Sequence, residues 1–151
     1  MTRLANDDNA LVTLRLLQTV SDFRARLSGD FSSVHGLSVN DFLLMLHLDQ
    51  APKHRLSRVD LAKKMRISAS TVTRMARPME KLGLLDRQAH VRDARSIFVV
   101  LTQAGQTKFQ EASDSFMKQS QALLADRWSD EDVAQLSTLL HRLVATEPWV
   151  A

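Results

Sequence analysis

The residues best placed to do chemistry lie between Lys53 and Arg95, and that chemistry is recognition of a polyanion. The stretch holds twelve Lys/Arg against four Asp/Glu, a net charge of +8, while the rest of the chain carries eight against thirteen and nets −5. A basic centre between acidic flanks is the electrostatic footprint of a nucleic-acid-binding module on a separate support, although an uneven solvated surface gives the same count. Within the centre, residues 68–82 read as a helix with Val72, Met75, Met79 and Leu82 turned inward. Its opposite face then carries Ser70, Thr73, Arg74, Arg77 and Lys81. Short hydroxyls near the N-terminus let a helix lie deep in a major groove, and arginine bridges guanine O6/N7 or holds a phosphate. Ser68 reads first as the helix cap, with Thr71 supporting it.

A second candidate is the polar, basic segment 89–95, which contains Arg92, Asp93 and Arg95. It separates two short runs, 84–88 and the β-branched and aromatic 96–101, and reads as the tip of a hairpin. A guanidinium on a protruding tip suits a narrow, strongly negative minor groove, and an Asp two residues before it can hold that Arg extended. A plain exposed ion pair is the competing interpretation. Pro78 removes a hydrogen bond to the Arg74 carbonyl and should bend the helix near residues 76–78. The bend either wraps the helix along a groove or is an accident of packing.

Other chemistry finds no support. The chain has no Cys, which excludes a disulfide framework, a cysteine nucleophile and thiol-based redox sensing. Its five His (35, 47, 54, 90, 141) lack zinc-ligand spacing, so no metal and no cofactor are expected. No HExxH, GxSxG, Walker or GxGxxG motif occurs, and the chain reads as a non-enzyme. The polar residues 1–9 lack the apolar core of a signal peptide, and no apolar run could span a bilayer. The expectation is a cytoplasmic protein with no membrane partner.

The elements that must position these residues are nearly all helical. Leu11, Leu14, Leu17, Val20, Phe23 and Leu27 make one apolar stripe, which Gly29 should end. Ser38 with Asp41 opens a short helix that is apolar nearly all round, Phe42 and Met45 being core candidates. Ser57 with Asp60 starts the helix before the basic one, and a tight turn between the two makes a helix-turn-helix. Gly83 sits where a left-handed C-terminal residue is wanted. After the hairpin, Thr102 caps a long helix whose stripe includes Phe109, Ala112, Phe116 and Leu123. Ser129 caps the last helix, with Asp130, Glu131 and Asp132 in its first turn. The long terminal stripes exceed what a central module of about seventy residues can cover, and a homodimer follows from burial.

Residues 68–75 (SASTVTRM), 79–87 (MEKLGLLDR) and 92–105 (RDARSIFVVLTQAG) together resemble the MarR family of winged-helix transcriptional regulators. The likeness extends over nearly the whole chain through helix order and length, and its most specific piece is Asp93-x-Arg95 followed by Val100-Leu101-Thr102-x-x-Gly105. It implies a mainly α (α+β) fold, a winged helix-turn-helix with long N- and C-terminal dimerisation helices. It implies a single subunit over 1–151, with a winged-helix DNA-binding module over 33–102 and dimerisation helices in 1–32 with 103–151. Its implied DNA-binding set is Ser68, Ser70, Thr71, Thr73, Arg74, Arg77, Arg92, Asp93 and Arg95. Arg95 would enter the minor groove and Asp93 would orient it. Ala94 stands where the family often has Arg, and Pro78 departs from its commonest helix. The partners implied are double-stranded DNA, a second copy of the chain, and a small aromatic or phenolic effector. The resulting reading is a regulator that binds a pseudo-palindromic operator and represses. The alternative is a winged-helix protein-interaction module, which a neutral or acidic recognition face would have favoured.

Overall fold

Four side-chain caps, those at Ser38 and Ser129 reciprocal, set where the shorter helices begin. In the computed structural model, which describes residues 7–90, 93–124 and 127–144, the Asp41 N–H donates to Ser38 Oγ at 3.1 Å. The Ser38 N–H answers to Asp41 Oδ2 at 2.9 Å. Ser57 accepts from the Asp60 N–H at 3.0 Å, Ser68 from Thr71 at 3.1 Å and Ser129 from Asp132 at 3.2 Å. Each satisfies a backbone donor that a helix start leaves orphaned. The helices are α1 (Asp8–Asp30), α2 (Val39–Asp49), α3 (Arg58–Met65), α4 (Ala69–Lys81), α5 (Gln103–Leu124) and α6 (Asp130–Val144). The strands are β1 (Arg55–Ser57), β2 (Leu85–His90) and β3 (Asp93–Leu101). Among the described residues no helix is long and apolar enough to cross a membrane.

The chain divides into two packed units, Met1–Phe42 and Leu43–Ala151. In the first, α1 does not stop at Gly29 as the sequence suggested. It runs one residue further and widens into a π turn over Phe31–His35. The buried Phe31 ring meets Phe42 edge-on at 5.1 Å between centroids, a favoured aromatic geometry. Val12, Leu14, Leu17, Val20 and Phe23 of α1 remain exposed.

In the second unit the three strands form an antiparallel sheet in the order β1-β3-β2. Val99 and Leu101 of β3 and Leu85 of β2 are buried, as are Leu61 and Ala62 of α3 and Phe109 and Ala112 of α5. The sequence reading contained no counterpart of β1. Its three residues pair with β3 through Arg55↔Val100, Leu56↔Val99 and Ser57↔Phe98. The hairpin strands also run further than expected, pairing as far as His90↔Asp93, so most of segment 89–95 is strand rather than loop. On α6, Leu139, Leu140 and Leu143 are exposed, and so is Met117 of α5.

Candidate nucleic-acid interface

The turn between α3 and α4 decides which side chains α4 can present. Arg66 takes the left-handed conformation there (φ 54°, ψ 41°), its N–H bonding Lys63 O at 3.1 Å while the Ile67 N–H bonds Ala62 O at 3.0 Å. This pair of bonds closes a helix with a reversal tight enough for α4 to start at once. Glycine is the residue that enters this conformation without strain, so an arginine here is held by its surroundings. Ser68 then caps α4, and Val72, Ala76 and Met79 bury its inner face. Leu82, expected on that face, is 69% exposed, while Ala76, absent from the expected stripe, is 1% exposed. At the far end Gly83 adopts φ 71°, and the N–H groups of Gly83 and Leu84 bond the carbonyls of Glu80 (3.0 Å) and Met79 (2.9 Å). The left-handed Gly83 was legible in the sequence, and these bonds are its cause.

The outward side of α4 carries the exposed Ser68, Ser70, Arg74, Arg77, Pro78 and Lys81. Helix α4 remains one element through Pro78. Ser68 Oγ lies 2.8 Å from Ser70 Oγ and 2.9 Å from Thr71 Oγ1, so three hydroxyls form one cluster at the helix start. No acidic residue stands in the first turn of α4, which leaves the positive end of its dipole open to an anion. Thr71 and Thr73 are half-buried, and the Thr73 hydroxyl donates to Ala69 O at 3.1 Å within the helix. The exposed set is therefore narrower than the sequence face and is dominated by Arg74 and Arg77. Arg92 lies outside the described residues. Asp93 and Arg95 have their backbones in β3, and their side chains also lie outside the described residues.

Two contacts that sequence reasoning missed hold α4 and the sheet in place. Arg87 Nε of β2 donates to Glu80 Oε1 of α4 at 2.6 Å, with Glu80 only 21% exposed. A charge-assisted bond of that length ties the last turn of α4 to the first strand of the hairpin. Arg55 of β1 lies over the Phe98 ring at 4.8 Å and reaches Gln88 of β2 at 3.4 Å, spanning all three strands. Opposite charges seven residues apart were the available sign of the first contact, but the helix ends at Lys81, between them, so their helical spacing does not describe it. His47 of α2 is 3% exposed. Burial first, and then the charge of Lys64, hold its imidazole below the ordinary histidine value.

A three-stranded sheet behind a capped helix pair, with the second helix basic and outward, is winged-helix geometry. The sequence profile of the MarR family matches residues 37–97, the span from α2 into β3. The chain is 30% identical to the HTH-type transcriptional repressor YetL of Bacillus subtilis over 112 residues, which cover 72% of this chain and 66% of that protein. The chain belongs to the MarR family. The alignment with YetL thus spans about two thirds of that relative's length. Among solved MarR-family folds, Sco3205 of Streptomyces coelicolor in complex with DNA superposes with a TM-score of 0.81. It is 23% identical, and the match covers 89% of this chain and 84% of that one. AbsC, also from Streptomyces coelicolor, gives a TM-score of 0.79 at 23% identity, covering 91% and 93% of the two chains. At such identities the likeness is one of fold. The MarR-family match centres on the elements that build α4 and its supports.

Proposed function

We propose that this MarR-family chain is a transcriptional regulator that binds double-stranded DNA as a homodimer on a pseudo-palindromic operator, most often to repress. The observation that carries this reading is α4. Its inner face is buried through Val72, Ala76 and Met79, and its outer face offers Ser70, Arg74 and Arg77 to a groove. The basic centre captures the duplex electrostatically, and two α4 helices related by the dimer axis read successive major grooves. Arg92, Asp93 and Arg95 serve the hairpin as it reaches the flanking minor groove. The exposed apolar faces of α1 and α6, with Leu17, Val20, Leu139 and Leu143, meet their equals on the second copy. The winged module takes residues 33–102, and the dimerisation helices take 1–32 with 103–151. A small aromatic or phenolic effector releases DNA by binding more tightly to a dimer shape that does not fit it. The protein acts in the cytoplasm, where its DNA lies.

The test is selection of duplexes from a random pool, followed by titration of the selected sequence at several salt concentrations. With about six to ten phosphates contacted per dimer, log K should fall against log salt with a slope of about −5 to −9. A flat salt response, or a pool that never converges on one sequence, overturns the reading in favour of a protein-interaction module.

A further inference from the structure

One hydroxyl joins the end of α4 to the start of α5. Thr102 Oγ1 donates to the Gly83 carbonyl at 2.6 Å and lies 3.0 Å from the Leu84 carbonyl, while accepting from the Gly105 N–H at 3.0 Å. The Thr102 N–H adds a backbone bond to Leu84 O at 3.1 Å. Gly83 and Leu84 are the two residues that close α4, and Gly105 lies in the first turn of α5. There is no room to slide: a Cβ on Gly105 would run into the Leu84 carbonyl oxygen and come within 2.7 Å of Leu101 Cδ1. The hydroxyls of Ser38, Ser57 and Ser129 also donate, but within their own first turns, to Asp41, Asp60 and Asp132. Thr102 uses both functions of the hydroxyl, one towards each helix.

We propose that Thr102 is a positioning residue for DNA recognition: its donated hydrogen bond fixes the angle of α4 against α5. The proposal rests on the DNA-binding reading of α4 given above. Its leverage comes from length. Helix α4 has 13 residues and is about 20 Å long, so about 5° of play at its C-terminal joint moves its first turn by about 1.7 Å. That exceeds the range over which a hydrogen bond to a base edge survives. Attraction to phosphates acts across a Debye length of about 8–10 Å and scarcely registers the same shift. Loosening the joint therefore weakens sequence-specific binding selectively and leaves the general affinity for duplexes in place.

The decisive variants are Thr102→Asp, Thr102→Val and Thr102→Ser. The Asp variant keeps an acceptor for the Gly105 N–H, so α5 stays capped, but it has no proton for Gly83 O at neutral pH. The Val variant removes both functions, and the Ser variant keeps both. Each is titrated with the selected operator and with a random duplex of equal length, after circular dichroism and a melting curve establish folding. The Asp variant should lose operator affinity about tenfold, the scale of one hydrogen bond to a fixed partner, with random-duplex affinity changed less than about twofold. The Val variant, where folded, should behave likewise, and the Ser variant should match the wild type. An Asp variant with the wild-type ratio of operator to random affinity overturns the proposal, as does a parallel fall of both affinities. A Ser variant as impaired as the Asp one overturns it too. A wild-type protein without operator preference overturns the DNA-binding reading itself, a result obtained before any variant is made.

Discussion

Replacing Gly105 by Ala tests how tightly α5 is seated, because the same substitution at Gly29 should have the opposite sign. At Gly105 the new methyl would collide with the Leu84 carbonyl oxygen and crowd Leu101 Cδ1 at 2.7 Å and the Leu84 carbonyl carbon at 3.1 Å. The oxygen is backbone and already holds the Thr102 N–H, so relief requires α5 to move away from the end of α4. Overpacking of this kind costs about 1–3 kcal/mol. Losing or stretching the Thr102 bond adds about 1 kcal/mol, and the better helix propensity of Ala returns about 1 kcal/mol. The net loss of about 1–3 kcal/mol should lower the melting midpoint by about 3–10 °C in a chain of this size. Gly29, inside α1, has nothing within 4 Å of a built Cβ. Gly29→Ala should there gain about 0.5–1 kcal/mol from reduced backbone entropy alone. Thermal melts followed by far-ultraviolet circular dichroism read both. An unchanged midpoint for Gly105→Ala, or shifts of the same sign in the two variants, would refute the reasoning.

Light scattering at micromolar concentration should give twice the chain mass. Leu139→Glu combined with Leu143→Glu, which charges the exposed face of α6, should shift it towards one chain while the protein stays helical; a wild-type monomer contradicts the dimer. In operator titrations Arg95→Ala should cost about 1–3 kcal/mol per wing, and Asp93→Ala less. Arg77→Ala should relax sequence preference if the side chain reads a base, or weaken all duplexes alike if it holds a phosphate. Undiminished affinity for Arg95→Ala removes the wing from the interface. His47 bears on stability: with its imidazole held below 6.5 in the fold, the unfolded chain takes up the proton first as pH falls. The contribution of the neutral ring is complete above 6.5 and lost below it, so His47→Gln should flatten the acid limb of a plot of Tm against pH. An equally steep limb in the variant assigns the loss elsewhere.

Local signals in the sequence were read well and non-local ones poorly. The Ser-Asp caps at 38/41, 57/60 and 129/132 are complete within four residues, so composition alone locates them. The exposed Ser70, Arg74 and Arg77 followed from the period of α4 against its buried residues. Strand β1 escaped because three residues carry no period and its partner lies 45 positions away at Val100. Leu82 fits a helical stripe by spacing, but it sits at the cap (φ −84°, ψ 0°), where the helix no longer turns it inward. Gly29 looked like a stop, yet its backbone stays helical and the left-handed residue comes later, at Gly36. The Glu80–Arg87 bond was invisible for the same reason as β1, since it joins elements whose adjacency only the folded sheet creates.

The hydroxyl cluster at the start of α4 also governs what kind of readout that end of the helix supports. Ser68, Ser70 and Thr71 already satisfy one another at 2.8–2.9 Å, and the Thr71 N–H is satisfied too. Two of the three hydroxyl protons are thus already engaged, so a group offered from outside competes in part with bonds the free protein has, and a matching partner gains less in total affinity than three free hydroxyls would give. A mismatched one, in contrast, can strip the cluster of its internal bonds or of water and supply nothing in return. Such a site behaves as a filter: it penalises the wrong surface more than it rewards the right one.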